Sequence, residues 1–275
     1  MDIIHTISDL RRRLNAEPTV ALVPTMGHLH DGHIDLIRLA KPHAACLVAS
    51  IFVNRLQFGP QEDYSRYPRT LAEDCERLKQ AGCSVVFAPV ENEIYPETQT
   101  VTVEPSALQH ELEGAFRPGH FRGVATVVLK LFNMVQPQLA IFGKKDYQQY
   151  LVLREMVQQL ALPITIIPAE TVRAADGLAL SSRNSYLSAE ERAEAPELYR
   201  ALQFIAECIR RGESPEESCQ RGQQRLDSRH WTTDYFSVRS ARDLRVPTPH
   251  VRELVILAAS RLGRTRLIDN LEVTR

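Results

Sequence analysis

The sequence predicts an α/β fold in two parts, a parallel sheet covered by helices on both faces and then a smaller α/β unit. Short apolar, β-branched runs alternate with helix-like segments over about the first 175 residues. This alternation is typical of a parallel sheet, because each return to a parallel strand needs a crossover, which is usually helical. Beyond that point the pattern changes to longer helical stretches followed by strand-like runs. With 275 residues, 44% of them hydrophobic, the chain suits one large domain or two modest ones.

Five apolar runs predict the strands of the first part, at residues 20–23, 46–53, 85–88, 139–142 and 164–167. Apolar residues at helical spacing lie near 34–39, near 71–78, over 124–135 and over 147–160. Ligands of open α/β sheets bind at the carboxyl ends of the strands. Three polar segments, 27–33, 54–58 and 143–146, follow strands directly. We therefore expect them to converge on one edge of the sheet.

The second part begins with a helix signal. Ser188 followed by Glu191 is a capping box, which predicts one long helix from residue 188 through 209, and the Gly-Glu-Ser-Pro run at 212–215 ends it. A further helical stretch, an alternating run at 235–238 and apolar runs at 254–259 and 266–268 follow. We predict domains at 1–175 and 176–275.

The composition favours no polyanionic partner. Lys and Arg number 33 against 34 Asp and Glu, so a net charge of -1 gives no reason to expect nucleic acid or an anionic membrane. The five cysteines are scattered and form no C-x-x-C pair, which argues against zinc or a disulfide framework and fits a reducing compartment. No signal segment is visible, and no run approaches the ~18 apolar residues of a membrane span. We expect a cytoplasmic protein.

Residues 24–33 carry the most informative motif. They read Pro-Thr-Met-Gly-His-Leu-His-Asp-Gly-His directly after the first apolar run, with His30 and His33 on either side of Gly32. At a strand-to-helix junction, glycines let the backbone approach a ligand, free N–H groups of the first turn attract an anion, and imidazoles donate to oxygens that gain charge. The motif favours a triphosphate site. The alternative is that these are ordinary loop histidines.

Two further segments suit phosphate. Lys144, Lys145 and Asp146 follow the fourth strand, where a lysine can hold a phosphate and a carboxylate can share Mg²⁺ with it. Residues 180–183, Leu-Ser-Ser-Arg, offer two hydroxyls and a guanidinium to phosphate oxygens near the predicted domain junction, which would suit a mobile clamp. The alternatives are a solvated charged turn and a simple connector between domains.

Neutral and basic groups complete the candidates. Asn54, Gln57 and Gln149 suit a substrate that carries hydroxyls and a carboxylate, because amides donate and accept without adding a counter-charge. Surface amides are common, so this signal alone is weak. The segment 117–123, Arg-Pro-Gly-His-Phe-Arg-Gly, is either a wall of the anion site or a solvated loop.

Taken together, these segments resemble the pantothenate synthetase (pantoate-β-alanine ligase) family of the H-x-G-H nucleotidyltransferase superfamily. The matching stretches follow the family order over nearly the whole chain, at residues 23–27, 30–33, 50–54, 57–58, 67–70, 116–124, 142–143, 145–146, 148–149, 176–184 and 266–270. Each stretch is weak alone, whereas the set is highly specific.

The resemblance implies a Rossmann-like N-terminal domain, a smaller C-terminal lid domain, a homodimer, and ATP with Mg²⁺. It also implies the reaction. Pantoate and ATP give pantoyl adenylate and pyrophosphate, and β-alanine then attacks the mixed anhydride to give pantothenate and AMP. No protein nucleophile is needed, because this chemistry depends on positioning and on donors placed in advance.

The resemblance also implies roles for individual residues. His33 matches the residue that the family treats as its acid. The pantoate and β-alanine contacts fall on Gln57 and Gln149, with Asn54 beside them, and Asp146 falls at the metal. The implied ATP-binding residues are Met26, Gly27, His30, Gly32, His33, Gly143, Lys144, Lys145, Asp146, Val172, Leu180, Ser181, Ser182 and Arg183.

The chain departs from the family pattern at three places. Arg55 and Leu56 stand where the family usually has proline and methionine, which leaves the local loop geometry open. Lys144 replaces a usual glutamate and makes that turn basic. His28 stands where smaller or amide residues are frequent, and we assign it no role.

Two other functions remain open at this stage. A nucleotidyltransferase that keeps the nucleotide in its product would carry the same H-x-G-H signal. A protein that binds ATP without turnover is a hypothesis from another class, although such a site could lose several of the residues that this chain retains together.

Overall fold

The computed structural model describes residues 1–60 and 62–275. These residues form two compact units, the first comprising Met1–Lys144 and Gln149–Glu170, the second Lys145–Gln148 and Thr171–Arg275. The four residues Lys145–Gln148 thus pack with the C-terminal part of the chain. A division at 175/176 remains a prediction.

The first unit is built on a six-stranded parallel sheet of order β1-β4-β3-β2-β5-β6. Its strands are β1 (Asp2–Ile4), β2 (Val20–Thr25), β3 (Cys46–Ile51), β4 (Val85–Phe87), β5 (Leu139–Gly143) and β6 (Thr165–Ala169). The five predicted strands are confirmed. Sequence reasoning missed β1, because it is three residues long with only Ile4 buried and so has no apolar run.

Helices cover both faces of this sheet. They are α1 (Ile7–Leu14), α2 (Asp31–Ala40), α3 (Leu71–Ala81), α4 (Glu91–Ile94), α5 (Glu113–Phe116), α6 (His120–Val135) and α7 (Tyr147–Gln159). One core packs α1, α6 and α7 against one face, and another packs α2 and α3 against the other. The predicted parallel sheet with two covered faces is therefore confirmed.

The strand order places the starts of the three candidate segments side by side. β2 lies between β3 and β5, so the segments that follow these strands leave the sheet at neighbouring positions along one edge. The order also changes direction there, since the chain continues from β2 to β3 on one side and returns as β5 on the other. Such a switch point is the usual ligand position in open α/β sheets.

The second unit packs helices on a three-stranded antiparallel sheet. Its helices are α8 (Ala189–Glu194), α9 (Glu197–Arg210) and α10 (Pro215–Asp227), and its strands are β7 (Trp231–Ser240), β8 (Glu253–Leu262) and β9 (Thr265–Thr274), in the order β7-β8-β9. The Ser188 capping box is present, but the single long helix predicted over 188–209 is wrong. Pro196 separates two helices, because proline lacks an N–H and its ring crowds the preceding turn.

None of the helices in the described ranges is both long enough and apolar enough to span a bilayer.

Candidate active site

The β2–α2 junction places two histidines at a helix N-terminus. β2 ends at Thr25 and α2 begins at Asp31, with His30 as its N-cap in extended backbone (φ -118°). The connecting loop turns sharply, because Gly27 (φ 83°) and His28 (φ 51°) both adopt the left-handed region. The amides of Asp31 and Gly32, the first two of the helix, have no partner within it and face its N-terminal end.

The imidazoles of His30 and His33 lie together. Their ring centroids are 4.0 Å apart, and the backbone N–H of His30 donates to Nδ1 of His33 at 3.3 Å. Because Nδ1 of His33 accepts this bond, a neutral His33 carries its proton on Nε2. His33 therefore presents a donor.

The segment after β3 contacts the segment after β2. Nε2 of Gln57 lies 3.2 Å from Sδ of Met26, and Nδ2 of Asn54 donates to Oε1 of Gln57 at 3.1 Å. Asn54 is 1% exposed and also caps the short 3₁₀ turn Arg55–Gln57 by accepting from Leu56 N. Three predicted site residues, Met26, Asn54 and Gln57, thus form one contact group.

Tyr95, which carried no prediction, and Gly123, the last residue of the predicted segment 117–123, hold Asn54 in place. The Tyr95 hydroxyl donates to Oδ1 of Asn54 at 2.8 Å, and Nδ2 of Asn54 donates to the carbonyl of Gly123 at 3.1 Å. A Cβ at Gly123 would lie 2.2 Å from the Leu56 carbonyl oxygen, so only glycine lets α6 approach the turn this closely. Burial raises the pKa of the Tyr95 phenol, which keeps it a donor.

The basic segment before α6 braces the same turn from its other end. Arg117 pairs with Glu62 at 2.6 Å, and its Nη1 lies 3.1 Å from Nε2 of His120. Nδ1 of His120 lies 2.9 Å from the Gln57 carbonyl. Burial, together with the Arg117 charge, lowers the pKa of His120 to about 4, so the ring is neutral, donates from Nδ1 and accepts at Nε2. As a wall of an anion site this segment remains a hypothesis.

At the end of β5, Gly143 closes the strand and Lys144 follows in a 3₁₀ turn. Nζ of Lys144 donates to Oε1 of Glu170 at 2.7 Å. The departure from the family pattern at Lys144 is thus matched by a carboxylate within the same unit. Gln149, also in this unit, is half-buried in α7.

In the second unit, β9 anchors the segment that carries Lys145 and Asp146. Nδ2 of Asn270 donates to the Lys145 carbonyl at 2.9 Å, and the Tyr147 hydroxyl donates to Oε1 of Glu272 at 2.8 Å. Nζ of Lys145 lies 4.0 Å from Oδ1 of Asp146, whose side chain is about half exposed. The segment 145–148 therefore has a fixed backbone and two charged side chains.

The loop 172–183 is ordered in the same unit. Leu180 N donates to Val172 O at 3.0 Å, and Ser181 caps the short turn Ser182–Tyr186 by accepting from Arg183 N at 3.3 Å. A bidentate ion pair between Arg173 and Asp269, at 2.6 and 2.9 Å, joins this loop to β9.

The predicted site residues therefore fall into two sets. The first unit holds Met26, Gly27, His30, Gly32, His33, Asn54, Gln57, Gly143, Lys144 and Gln149, and the second holds Lys145, Asp146, Val172, Leu180, Ser181, Ser182 and Arg183. His28 contributes its backbone to the loop between β2 and α2.

The α/β fold with a histidine pair at its β2–α2 junction and amides on the neighbouring turn defines a nucleotide-binding ligase or transferase. The model of the family described as Pantoate-beta-alanine ligase matches residues 2–272. The chain belongs to that family. The predicted enzyme class, pantoate-β-alanine ligase, is thereby confirmed.

Individual relatives agree with this assignment. The chain is 56% identical over 276 residues to the pantothenate synthetase of Thiobacillus denitrificans, with 100% of this chain and 98% of that protein covered. Among solved structures, the pantothenate synthetase of Thermus thermophilus superposes with a TM-score of 0.95 at 46% identity and full coverage of both chains. The Francisella tularensis pantoate-beta-alanine ligase, solved with beta-gamma ATP and beta-alanine, gives a TM-score of 0.85 at 32% identity over 98% of this chain and 97% of that one.

Proposed function

We propose that this chain condenses pantoate with β-alanine through a pantoyl adenylate, and that the residues described above carry the two steps. The observation that carries the proposal is the histidine pair at the N-terminus of α2, on the same β2–α2 connection whose Met26 contacts the amide of Gln57 in the turn after β3. This arrangement supports binding of an anion next to a small polar acid.

In the first step a pantoate carboxylate oxygen attacks the α-phosphorus of ATP. The new C–O–P bond forms as the bond to pyrophosphate breaks, and negative charge grows on the phosphate oxygens. His33, which donates from Nε2, and His30 beside it stabilise that charge, together with the first amides of α2. Met26, Gly27 and Gly32 give the backbone the close approach that this contact requires.

Pantoate is held by neutral donors and acceptors. Gln57 and Gln149, supported by Asn54, bind its hydroxyls and carboxylate without a positive charge that would stabilise the ground-state acid more than the transition state. Asn54 reaches this role through Gln57, since the Asn54 amide holds the Oε1 of Gln57.

The residues of the second unit bind the phosphates. Lys145, Ser181, Ser182 and Arg183 supply cationic and hydroxyl donors, and Val172 and Leu180 line the nucleotide. Gly143 and Lys144, which belong to the first unit, are assigned to the nucleotide as well. Asp146 would hold Mg²⁺. One half-exposed carboxylate fits this ion, because Mg²⁺ keeps most of its ligands as water and phosphate oxygens, and within the described ranges no cluster of three His, Cys, Asp or Glu forms a cage. When bound, Mg²⁺ offsets the charge of the triphosphate.

In the second step the amine of β-alanine attacks the acyl carbon of the adenylate. The C–N bond forms, AMP leaves with the acyl-oxygen bond electrons, and the amine loses a proton. Gln57 orients β-alanine. Exclusion of water by the C-terminal lid domain limits hydrolysis of the intermediate.

The assembly and location form part of the same proposal. We expect a homodimer, which the molecular mass in solution would test, and residence in the cytoplasm, which cell fractionation would test.

Exchange of labelled pyrophosphate into ATP tests the proposal. Exchange that requires pantoate and proceeds without β-alanine is the expected result, followed by AMP release only when β-alanine is added. A stable nucleotidylated product would favour a nucleotidyltransferase instead. Binding of ATP with no exchange under any condition would favour a protein that binds ATP without turnover.

A further inference from the structure

A buried carboxylate lies behind the loop that carries the two histidines. Asp74, one turn into α3, is 2% exposed. Its Oδ2 accepts the backbone N–H of His28 at 2.9 Å, and its Oδ1 accepts that of Leu29 at 2.7 Å. Thr70 Oγ1 donates to Oδ2 at 3.2 Å. These donors satisfy a charge that would be costly to bury alone.

The loop conformation depends on this carboxylate. His28 has φ of 51°, which is unfavourable for a residue with a Cβ, and its own N–H is bound by Asp74. At Gly27 a Cβ would lie 3.0 Å from Oδ2 of Asp74 and 3.1 Å from Cγ2 of Ile51. The loop backbone is therefore packed directly on the carboxylate.

These contacts fix which donors face a ligand. The amides of His28 and Leu29 are committed to Asp74, so they do not bind phosphate. In this segment we assign phosphate to the first amides of α2 and to the imidazoles of His30 and His33. Asp74 thus determines the path of the chain into α2 and, through it, the direction of both rings.

We propose that Asp74 is a positioning residue for adenylation, which fixes the loop so that the two imidazoles meet the charge that develops on the α-phosphate. The inference rests on the proposed function of His30 and His33. It extends that function to a residue on another helix whose side chain faces the loop from behind.

Asp74→Asn tests the role. The amide keeps the shape and one acceptor but sets an NH₂ group against a backbone N–H. We expect single-turnover formation of pantoyl adenylate to slow by about 10- to 100-fold, the scale of a small misplacement of reacting groups. Conversion of supplied pantoyl adenylate by β-alanine should change by less than about threefold, because attack of the amine places the new charge on the acyl oxygen, and charge reaches the phosphate only as AMP leaves.

Two variants control for charge and stability. Glu73→Gln removes the same charge from the neighbouring, exposed position of α3 and should leave both steps within about twofold of wild type. Thr70→Val removes one donor and keeps the carboxylate, so it should slow adenylation in the same direction by less. It remains informative if Asp74→Asn does not fold.

Hydrogen exchange provides a readout that is independent of activity. In the folded Asp74→Asn or Thr70→Val protein, the amides of His28 and Leu29 should exchange faster than in wild type while those of β2 do not change. Unchanged exchange, or normal adenylation despite faster exchange, would overturn the proposal. If wild type shows no pantoate-dependent exchange of pyrophosphate, the proposed function fails by itself. The affinity for ATP then tests the role of Asp74 separately. Weaker ATP binding by Asp74→Asn and Thr70→Val than by wild type would support the positioning of the loop by Asp74, and equal binding would refute it.

Discussion

Substitutions at His33 can separate the roles of its two ring nitrogens. Nδ1 accepts the His30 N–H at the start of α2, and Nε2 is the donor assigned to phosphate. Asparagine places an oxygen near the Nδ1 position and has nothing at Nε2, whereas glutamine can place an NH₂ group near Nε2. Alanine removes both functions.

The expected magnitudes follow from these contacts. Loss of one donor placed in advance costs about 10²–10³ in rate, or about 2.7–4 kcal/mol of transition-state stabilisation. His33→Asn and His33→Ala should both reach that loss in single-turnover formation of pantoyl adenylate. Of these two variants, only His33→Ala should also lower the free energy of unfolding, by about 1 kcal/mol, because it loses the side-chain acceptor for the His30 N–H at the start of α2. His33→Gln should retain part of the rate.

Single-turnover quench with labelled ATP measures the rate, and urea unfolding measures the stability. Near-wild-type adenylation by His33→Asn would refute the donor assignment. Equal stability of the alanine and asparagine variants would refute the capping role of Nδ1 while leaving the donor role intact.

Three further predictions rest on other contacts. His120 has a pKa of about 4 when folded and about 6.5 when unfolded, so the unfolded chain takes up a proton first as the pH falls. The free energy of unfolding, measured with urea, should therefore fall by about 2 kcal/mol between pH 7 and 5. A His120→Asn variant with the same pH dependence would contradict this. Gly123→Ala should displace the turn 54–57 and raise the KM for pantoate about tenfold or more in steady-state assays, while Gly59→Ala, whose Cβ would meet nothing closer than 3.7 Å, should not. Asp269→Ala should lower the free energy of unfolding by about 3–5 kcal/mol, because it leaves Arg173 without its carboxylate partner in a mostly buried site. Asp176→Ala, in the exposed pair with Arg192, should lower it by about 1 kcal/mol or less. Equal losses would show that burial does not set the difference.

The strands and the polar segments that follow them were predictable, because a strand buried on both faces reads as a continuous apolar run. The break in the 188–209 helix had a local signal in Pro196, which lies within an otherwise helical pattern. The grouping of Lys145–Gln148 with the second unit had no local signal. It depends on bonds from Asn270 and Glu272, more than 100 residues later in the sequence.

The residues that hold the site loops illustrate why sequence reasoning finds donors more easily than their supports. His30, Gln57 and Lys144 lie in segments that follow strands, so topology alone brings those segments to one edge of the sheet. Asp74 has a weaker signal: it shares a helical face with Leu78, four residues later, and both are buried. A carboxylate on the apolar face of a helix needs donors from elsewhere in the fold, and the sequence does not say which. Here those donors are the two loop amides next to the histidines, so the same two hydrogen bonds offset both the cost of burying Asp74 and the strain at His28, and a substitution that removes them leaves both costs uncompensated.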